Sequence, residues 1–306
     1  KTTGFNLHIL WLCQLPYCAS EAVGLCGCVF VQREFLQRAL FFCADFRFIN
    51  WYAYYLGKGI ILERYGIIKN KNQREIVLLR GSGCRWRRGT FCDYHLDFST
   101  DNTANYKINS EVLERVTGVY GKLEVINSGS FCDLDAETIR LIASVCKAKG
   151  IHTLHFECHY MHRDKVDEIK SFFSKYGVQV HIKTGVETFD VNYRENIMQK
   201  GFGNASPKEI AEYADEVCLL FGLSGQTAES MKNDIETGLK YFDRVCVNIM
   251  NKNTTRVLPD DKVIDVFVKE IAPSYANNSR VDILMKNTDF GVGAEDNSVV
   301  EGGYDR

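Results

Sequence analysis

Leu123-Glu124-Val125-Ile126-Asn127 is a short apolar run ending in the polar turn Ser128-Gly129-Ser130. It is followed by Ala136-Glu137-Thr138-Ile139-Arg140-Leu141-Ile142-Ala143-Ser144-Val145-Cys146 and, past Gly150, by a second run, Thr153-Leu154-His155-Phe156-Glu157-Cys158. The middle segment spaces its apolar residues as a helix does. Asp135 stands where an N-cap is wanted, and Gly150 where a left-handed residue closes a helix. A strand, a helix and a strand on short links require a parallel pair with a helical crossover.

The alternation continues in both directions. Strands are expected over Glu75–Arg80, Leu123–Asn127, Thr153–Cys158, Val178–Lys183, Glu216–Phe221, Arg244–Met250 and Arg280–Met285. Helices are expected over Ser110–Tyr120, Ala136–Lys149, Lys165–Tyr176, Tyr193–Lys200, Pro207–Tyr213, Ala228–Phe242 and Lys262–Tyr275. Ser206 before Pro207, with Glu209 after it, reads as a capping box. So many units predict an α/β fold whose parallel sheet curls into a full or partial (β/α) barrel over residues 75–306. In such barrels the chemistry lies on the loops after the strands.

Residues 1–74 read differently, as an N-terminal extension without clean periodicity. A helix over Gln32–Phe42 and a strand over Gly59–Arg64 are expected there, and Cys13, Cys18, Cys26, Cys28 and Cys43 follow no metal-ligand spacing. The 306 residues carry a net charge of −2, which argues against a broad nucleic-acid surface. The twelve cysteines show no disulfide framework and several sit in apolar runs, so a reducing cytoplasm is expected. No stretch reads as a signal peptide or a membrane span.

The loop after the first expected strand reads Arg80-Gly81-Ser82-Gly83-Cys84-Arg85-Trp86-Arg87-Arg88-Gly89-Thr90-Phe91-Cys92-Asp93-Tyr94-His95. Two cysteines and a histidine on a glycine-rich loop at a barrel mouth suit an iron–sulfur cluster or zinc, and spacing alone leaves both open beside simple burial. Polar residues at other strand ends are candidate contacts: Glu157 and His159 after the third strand, Glu187 and Arg194 after the fourth, Asn248 on the sixth, Asn287 and Asp289 after the last. His155 and His162 read as solvated or capping residues.

The loop resembles the cluster-binding loop of the radical S-adenosylmethionine superfamily, in which three cysteines hold a [4Fe–4S] cluster. By that resemblance Cys84 and Cys92 are the outer ligands, Phe91 is the aromatic before the last one, and Gly89 stands where the middle cysteine belongs. The resemblance implies a substituted chain with an incomplete ligand set, or His95 or a distant thiol as substitute. Asn127-Ser128-Gly129-Ser130-Phe131, Gly185-Val186-Glu187-Thr188-Phe189-Asp190 and Gly222-Leu223-Ser224-Gly225-Gln226-Thr227 are similar to later strand-end turns of that superfamily. They imply S-adenosylmethionine contacts from Tyr94, Asn127, Ser128, Gly129, Glu187 and Arg194.

Lys122 to Phe131, Cys92 to Phe98 and Asn287-Thr288-Asp289-Phe290-Gly291-Val292-Gly293 look like the queuine lyase group in particular. That resemblance implies a lyase releasing 7-aminomethyl-7-deazaguanine from queuine. By the same resemblance a reduced cluster would cleave S-adenosylmethionine to a 5′-deoxyadenosyl radical, which would take hydrogen from the cyclopentenediol before the C–N bond breaks. It implies substrate contacts from Ser130, Phe131, Glu157, His159, Asn248, Asn287 and Asp289, stacking from Phe131, Tyr160 or Phe290, and a reductant such as flavodoxin or ferredoxin. Rivals are a radical enzyme acting on RNA or a peptide, a cluster-deficient binding protein, and a zinc hydrolase.

Overall fold

The computed structural model describes residues 62–93 and 97–294. The readings made for residues before 62, and for Tyr94 and His95, lie outside the described residues. A curled sheet of eight strands forms the centre, in chain order: β2 (Tyr65–Ile68), β3 (Arg74–Leu79), β4 (Lys122–Asn127), β5 (Thr153–Glu157), β6 (Gln179–Glu187), β7 (Glu216–Phe221), β8 (Arg244–Ile249) and β9 (Val281–Leu284). From β3 to β9 every neighbouring pair is parallel, while β2 runs antiparallel to β3. The architecture is a partial (β/α) barrel. A small pair, β1 (Leu62–Glu63) with β10 (Gly293–Ala294), stands apart from this sheet.

The crossovers carry α1 (Asn102–Glu114), α2 (Ala136–Lys149), α3 (Val166–Ser174), α4 (Pro207–Ala211), α5 (Ala228–Tyr241), α6 (Asp261–Val266) and α7 (Ala272–Tyr275), with a π-helical turn at Phe267–Ile271 joining the last two. Their starts follow the caps: Asp135 Oδ1 accepts from Thr138 N at 2.8 Å, and Ser206 pairs reciprocally with Glu209. Helix α1 begins well before the expected Ser110, because Asp101 caps Thr103 N and Ala104 N. The expected helix over Tyr193–Lys200 is a single π-helical turn, Tyr193–Ile197. The edge strand β2 was not foreseen.

Side-chain alternation divides the sheet into two unlike faces. Val77, Leu79, Leu123, Val125, Leu154, Phe156, Ile182, Val217, Leu219, Val245 and Val247 point out and form one core with the helices. Their alternate neighbours Glu124, His155, Lys183 and Glu216 point into the lumen and are also buried. Parallel sheets covered on both faces are usually apolar throughout; here the lumen is wired by charge. Arg74 Nε meets Glu124 Oε2 at 2.5 Å, Lys183 bonds the same carboxylate, and His155 Nδ1 lies 3.1 Å from Glu216. His155 is therefore a buried lumen residue, not a solvated one.

Burial alone pushes the Glu124 carboxyl up, but the two cations beside it win and hold it far below the usual range. Glu124→Leu would leave Arg74 and Lys183 buried without their anion, and is expected to cost about 3–5 kcal/mol in denaturant unfolding at neutral pH. Because the folded carboxyl titrates below the unfolded one, its contribution is present above the unfolded pKa and fades as pH falls. The gap between Glu124→Leu and the parent should therefore narrow in acid, and a gap constant with pH would contradict this account.

Candidate functional site

The loop 80–93 leaves the C-terminal end of β3 and is tied down on two sides. On one side the turn after Ile197 receives it: Trp86 Nε1 donates to Gln199 O at 2.7 Å, and Thr90 Oγ1 to Ile197 O at 2.8 Å. On the other, Asn253 Nδ2 donates to Phe91 O at 2.7 Å, and Thr254 donates through N and Oγ1 to Asp93 Oδ2. Phe91 is buried among Met198, Leu220, Leu223 and Met250, which anchors the residue before Cys92. Cys84 and Cys92 are both half-buried.

Gly129, at the end of β4, packs directly on this loop. A Cβ at position 129 would sit 3.1 Å from the Cys84 backbone and 2.3 Å from Asp133 Oδ2. Gly129→Ala should thus push Asp133 and Cys84 off the turn and cost about 1–3 kcal/mol, read as a lower unfolding temperature. An unchanged unfolding temperature would mean that the loop gives way freely. Around the turn, Asn127 Nδ2 donates to Ser130 O, Ser128 Oγ donates to Asp97 O, and Ser130 Oγ accepts from His159 N. These polar atoms build the turn itself.

At the end of β6 the sheet bulges between Gly185 and Glu187. Glu187 is a non-glycine residue held at φ 69°, and its Oε1 accepts from Lys200 Nζ at 2.9 Å. Arg87 and Gln199 are also left-handed, at φ 50° and 54°, so three of the four such non-glycine residues described lie around the cysteine loop and its anchor. Backbone strain collects where a site over-determines geometry. Lys200 is the cation at this mouth: its Nζ lies 5.4 Å above the Phe91 ring, and the Glu187 carboxylate, then Cys92 and Cys84, favour its charged form against burial.

Glu157 closes the lumen side, at the tip of β5. The residue is half-buried, its carboxylate takes no hydrogen bond from another described residue, and desolvation pushes the carboxyl up to about 7 against the pull of Lys183. Asn248 points into the same lumen from β8, next to Cys246. Cys218 and Cys246 face each other there on β7 and β8, and their mutual contact together with burial raises the Cys218 thiol well above its ordinary value.

A comparison with solved structures finds a match to queuine lyase from Clostridium spiroforme bound to S-adenosylmethionine and queuine. The TM-score is 0.73 and the identity 42%, over 76% of this chain and 99% of that one. The chain belongs to the queuine lyase family. No protein-family model matches the chain, and a search of curated proteins finds no match.

In this member of the queuine lyase family, several residues expected as contacts are engaged within the fold. Phe131 is buried in the helix-side core against Phe156, ring centroids 5.8 Å apart, because the 3-10 turn Phe131–Asp133 folds it back from the mouth. His159 donates from Nε2 to Lys200 O and accepts at Nδ1 from Met161 N. Burial, then Lys200, lower its pKa to about 4, so it is a neutral brace that stacks on Trp86 at 5.4 Å. Arg194 is fully buried, bonded to Glu195 and to Gly203 O and Ala205 O, and shapes the segment that delivers Lys200. Asp289 Oδ2 caps its own turn at Met285 N and Lys286 N, and Asn287 is exposed beside it. Phe290 lies at the lumen, under the Arg74 guanidinium at 5.1 Å and 5.9 Å from Lys183 Nζ.

Among the described residues the loop brings two thiols, Cys84 and Cys92, to this mouth, and Gly89 brings no ligand atom from a side chain. The backbone nevertheless keeps the place open. A Cβ at position 89 would meet nothing closer than Cys92 Cβ at 3.7 Å, and the residue is outside the left-handed region that favours glycine.

Proposed function

We propose that the mouth of the half-barrel binds queuine and S-adenosylmethionine, and that the chain is built for cleavage of queuine to 7-aminomethyl-7-deazaguanine. The observation that carries the reading is the kinship to queuine lyase over nearly the whole of that chain. Support from the site comes from Glu157, a half-buried carboxylate with no hydrogen bond to another described side chain, beside the lumen cation Lys183.

A deazaguanine presents an N1–H and a 2-amino group on one edge and a carbonyl next to them. Glu157 accepts from the two donors, Asn248 gives its amide to the carbonyl, and Phe290 offers its ring to the flat base. S-adenosylmethionine lies nearer the cysteine loop, its amino group against Ser128-Gly129 and its polar groups within reach of the Glu187–Lys200 pair. A cluster on the cysteine loop would supply the electron that opens S-adenosylmethionine. The protein's own part is to orient the base and keep water from it. An electron donor of the flavodoxin or ferredoxin type and a reducing cytoplasm complete the proposal. Among the described residues no helix is long and apolar enough to cross a membrane.

The test sets free queuine against queuosine-containing RNA. Calorimetry on the chain as it stands should give saturable queuine binding, tighter when S-adenosylmethionine is present, with heat unaffected by RNA. Binding of the RNA in preference to the base, weakening steeply with salt, would replace this reading by an RNA-directed one.

A further inference from the structure

The N-terminal ends of the strands, opposite the mouth, gather a second set of polar side chains. His181 lies near the start of β6, while Asp215 and Asp243 stand immediately before β7 and β8. Backbone bonds set them in a row across the sheet: Asp215 N donates to Ile182 O and Asp243 N to Asp215 O, each at 2.8 Å. One ligand atom from each side chain lies within 4.8 Å of the other two. Among the described residues no other three histidine, cysteine or carboxylate side chains meet so closely. The Asp215 carboxylate is oriented through Oδ2, which accepts from Ile182 N at 2.7 Å and from Lys170 Nζ at 3.0 Å. Its Oδ1 takes no hydrogen bond from a described residue. The His181 ring makes none either, and stacks on His155 with ring centroids 5.3 Å apart.

His155 adds an independent sign. It is 4% exposed, its Nδ1 lies 3.1 Å from Glu216 Oε1, and its Nε2 is buried with no hydrogen-bond partner among the described residues. A buried polar atom without a partner is rare and marks the neighbourhood of an ion, a ligand or ordered water. Asp215 also lines a groove of about 470 Å³ with Lys170, Gly177 and Gln179, which gives solvent a path to the cluster. One imidazole nitrogen and two carboxylate oxygens, with a fourth position left to water, are a donor set that zinc takes. Magnesium and calcium favour oxygen donors alone.

We propose that His181, Asp215 and Asp243 bind one zinc ion, with water as the fourth ligand, and that the ion ties β6, β7 and β8 together at their starts. Two carboxylates balance the charge of the ion, and the half-buried Lys170 turns its ammonium from Asp215 toward solvent. Chemistry in such barrels lies at the other end of the strands, so the ion acts on stability. The site stands whether or not the queuine reading does.

The experiment uses the full chain, freed of metal by a chelator, with Cys84→Ser and Cys92→Ser to remove the thiols of the cysteine loop. Calorimetry should show one equivalent of zinc. At 100 times its dissociation constant, zinc should raise the unfolding temperature by about 5 °C or more over the chelator arm, and magnesium should not. His181→Asn and Asp243→Asn, made in the same chain, should each weaken zinc by about 100-fold or more. Asp243 is exposed, so its substitution leaves the fold intact, and the shift is read within each chain as zinc against chelator. Cobalt(II) in place of zinc should give weak visible d–d bands without sulfur-to-cobalt charge transfer. Zinc binding that survives both substitutions at full strength would overturn the proposal, as would cobalt spectra dominated by sulfur charge transfer. So would the absence of any zinc-dependent shift, or an equal shift with magnesium, which needs no histidine.

Discussion

On the proposed function, Gly89→Cys is expected to retain iron and sulfide after anaerobic reconstitution with an apparent affinity at least about 100-fold above the parent's. Removing even a residue that merely supports a metal ligand costs 10–100-fold, and here a ligand itself is restored. The expectation depends on room as much as on chemistry. A Cβ at position 89 meets only ordinary contacts, and no left-handed φ has to be surrendered. The loop is already pinned at Trp86, Thr90, Phe91 and Asp93, so the new thiol costs little reorganisation.

On the same proposal, queuine-dependent formation of 5′-deoxyadenosine should accompany the retained iron and sulfide, appearing in Gly89→Cys and staying at background in the parent. The comparison needs a reductant, since 3.7 Å from Cβ to Cβ is also within the range of a disulfide to Cys92. A variant that folds, is fully reduced and still retains no more iron than the parent would show that position 89 is not the missing ligand. Full retention without product would keep the metal site and discard the reaction.

The parallel architecture was legible because strand and helix differ in period, and because Asp135, Ser206, Gly150 and Gly177 mark helix ends. Both glycines are left-handed as expected, at φ 68° and 74°. The half-barrel's charged lumen was equally present in the sequence, as Glu124, His155 and Lys183 alternate with apolar neighbours, but the short apolar runs drew the eye first. Lys200 was missed for a different reason. Its place at the mouth depends on the π-helical turn Tyr193–Ile197 and the left-handed Gln199, neither of which leaves a periodic mark. Strand ends say where to look, but not which way a side chain turns. Phe131, His159 and Asp289 all follow strands, yet one folds into the core, one braces Trp86 and one caps its own turn.

Glu157→Gln should weaken queuine binding by about 10–100-fold at pH 8, the loss expected for hydrogen bonds to a charged acceptor. A carboxylate takes both donors of the base edge, whereas an amide offers one acceptor and turns a donor toward a donor. The pH dependence follows from a carboxyl raised to about 7. Above that value it is ionised and binds. Below it the proton must leave first, so affinity of the parent should fall as pH drops from 8 to 6, while Glu157→Gln stays nearly flat. Stability moves the opposite way. With its folded pKa above the unfolded one, Glu157 favours the folded state least where it is ionised. Its penalty grows as pH rises from the unfolded pKa toward 7 and then levels off. Glu157→Gln should therefore unfold at a higher temperature than the parent at pH 8 and at about the same temperature in acid. A side chain kept at a cost to the fold and needed for the ligand is the signature of a binding group. If Glu157→Gln instead lowered the unfolding temperature and left queuine affinity intact, Glu157 would be a packing residue, and the base would have to be read by Asn248 and other lumen groups.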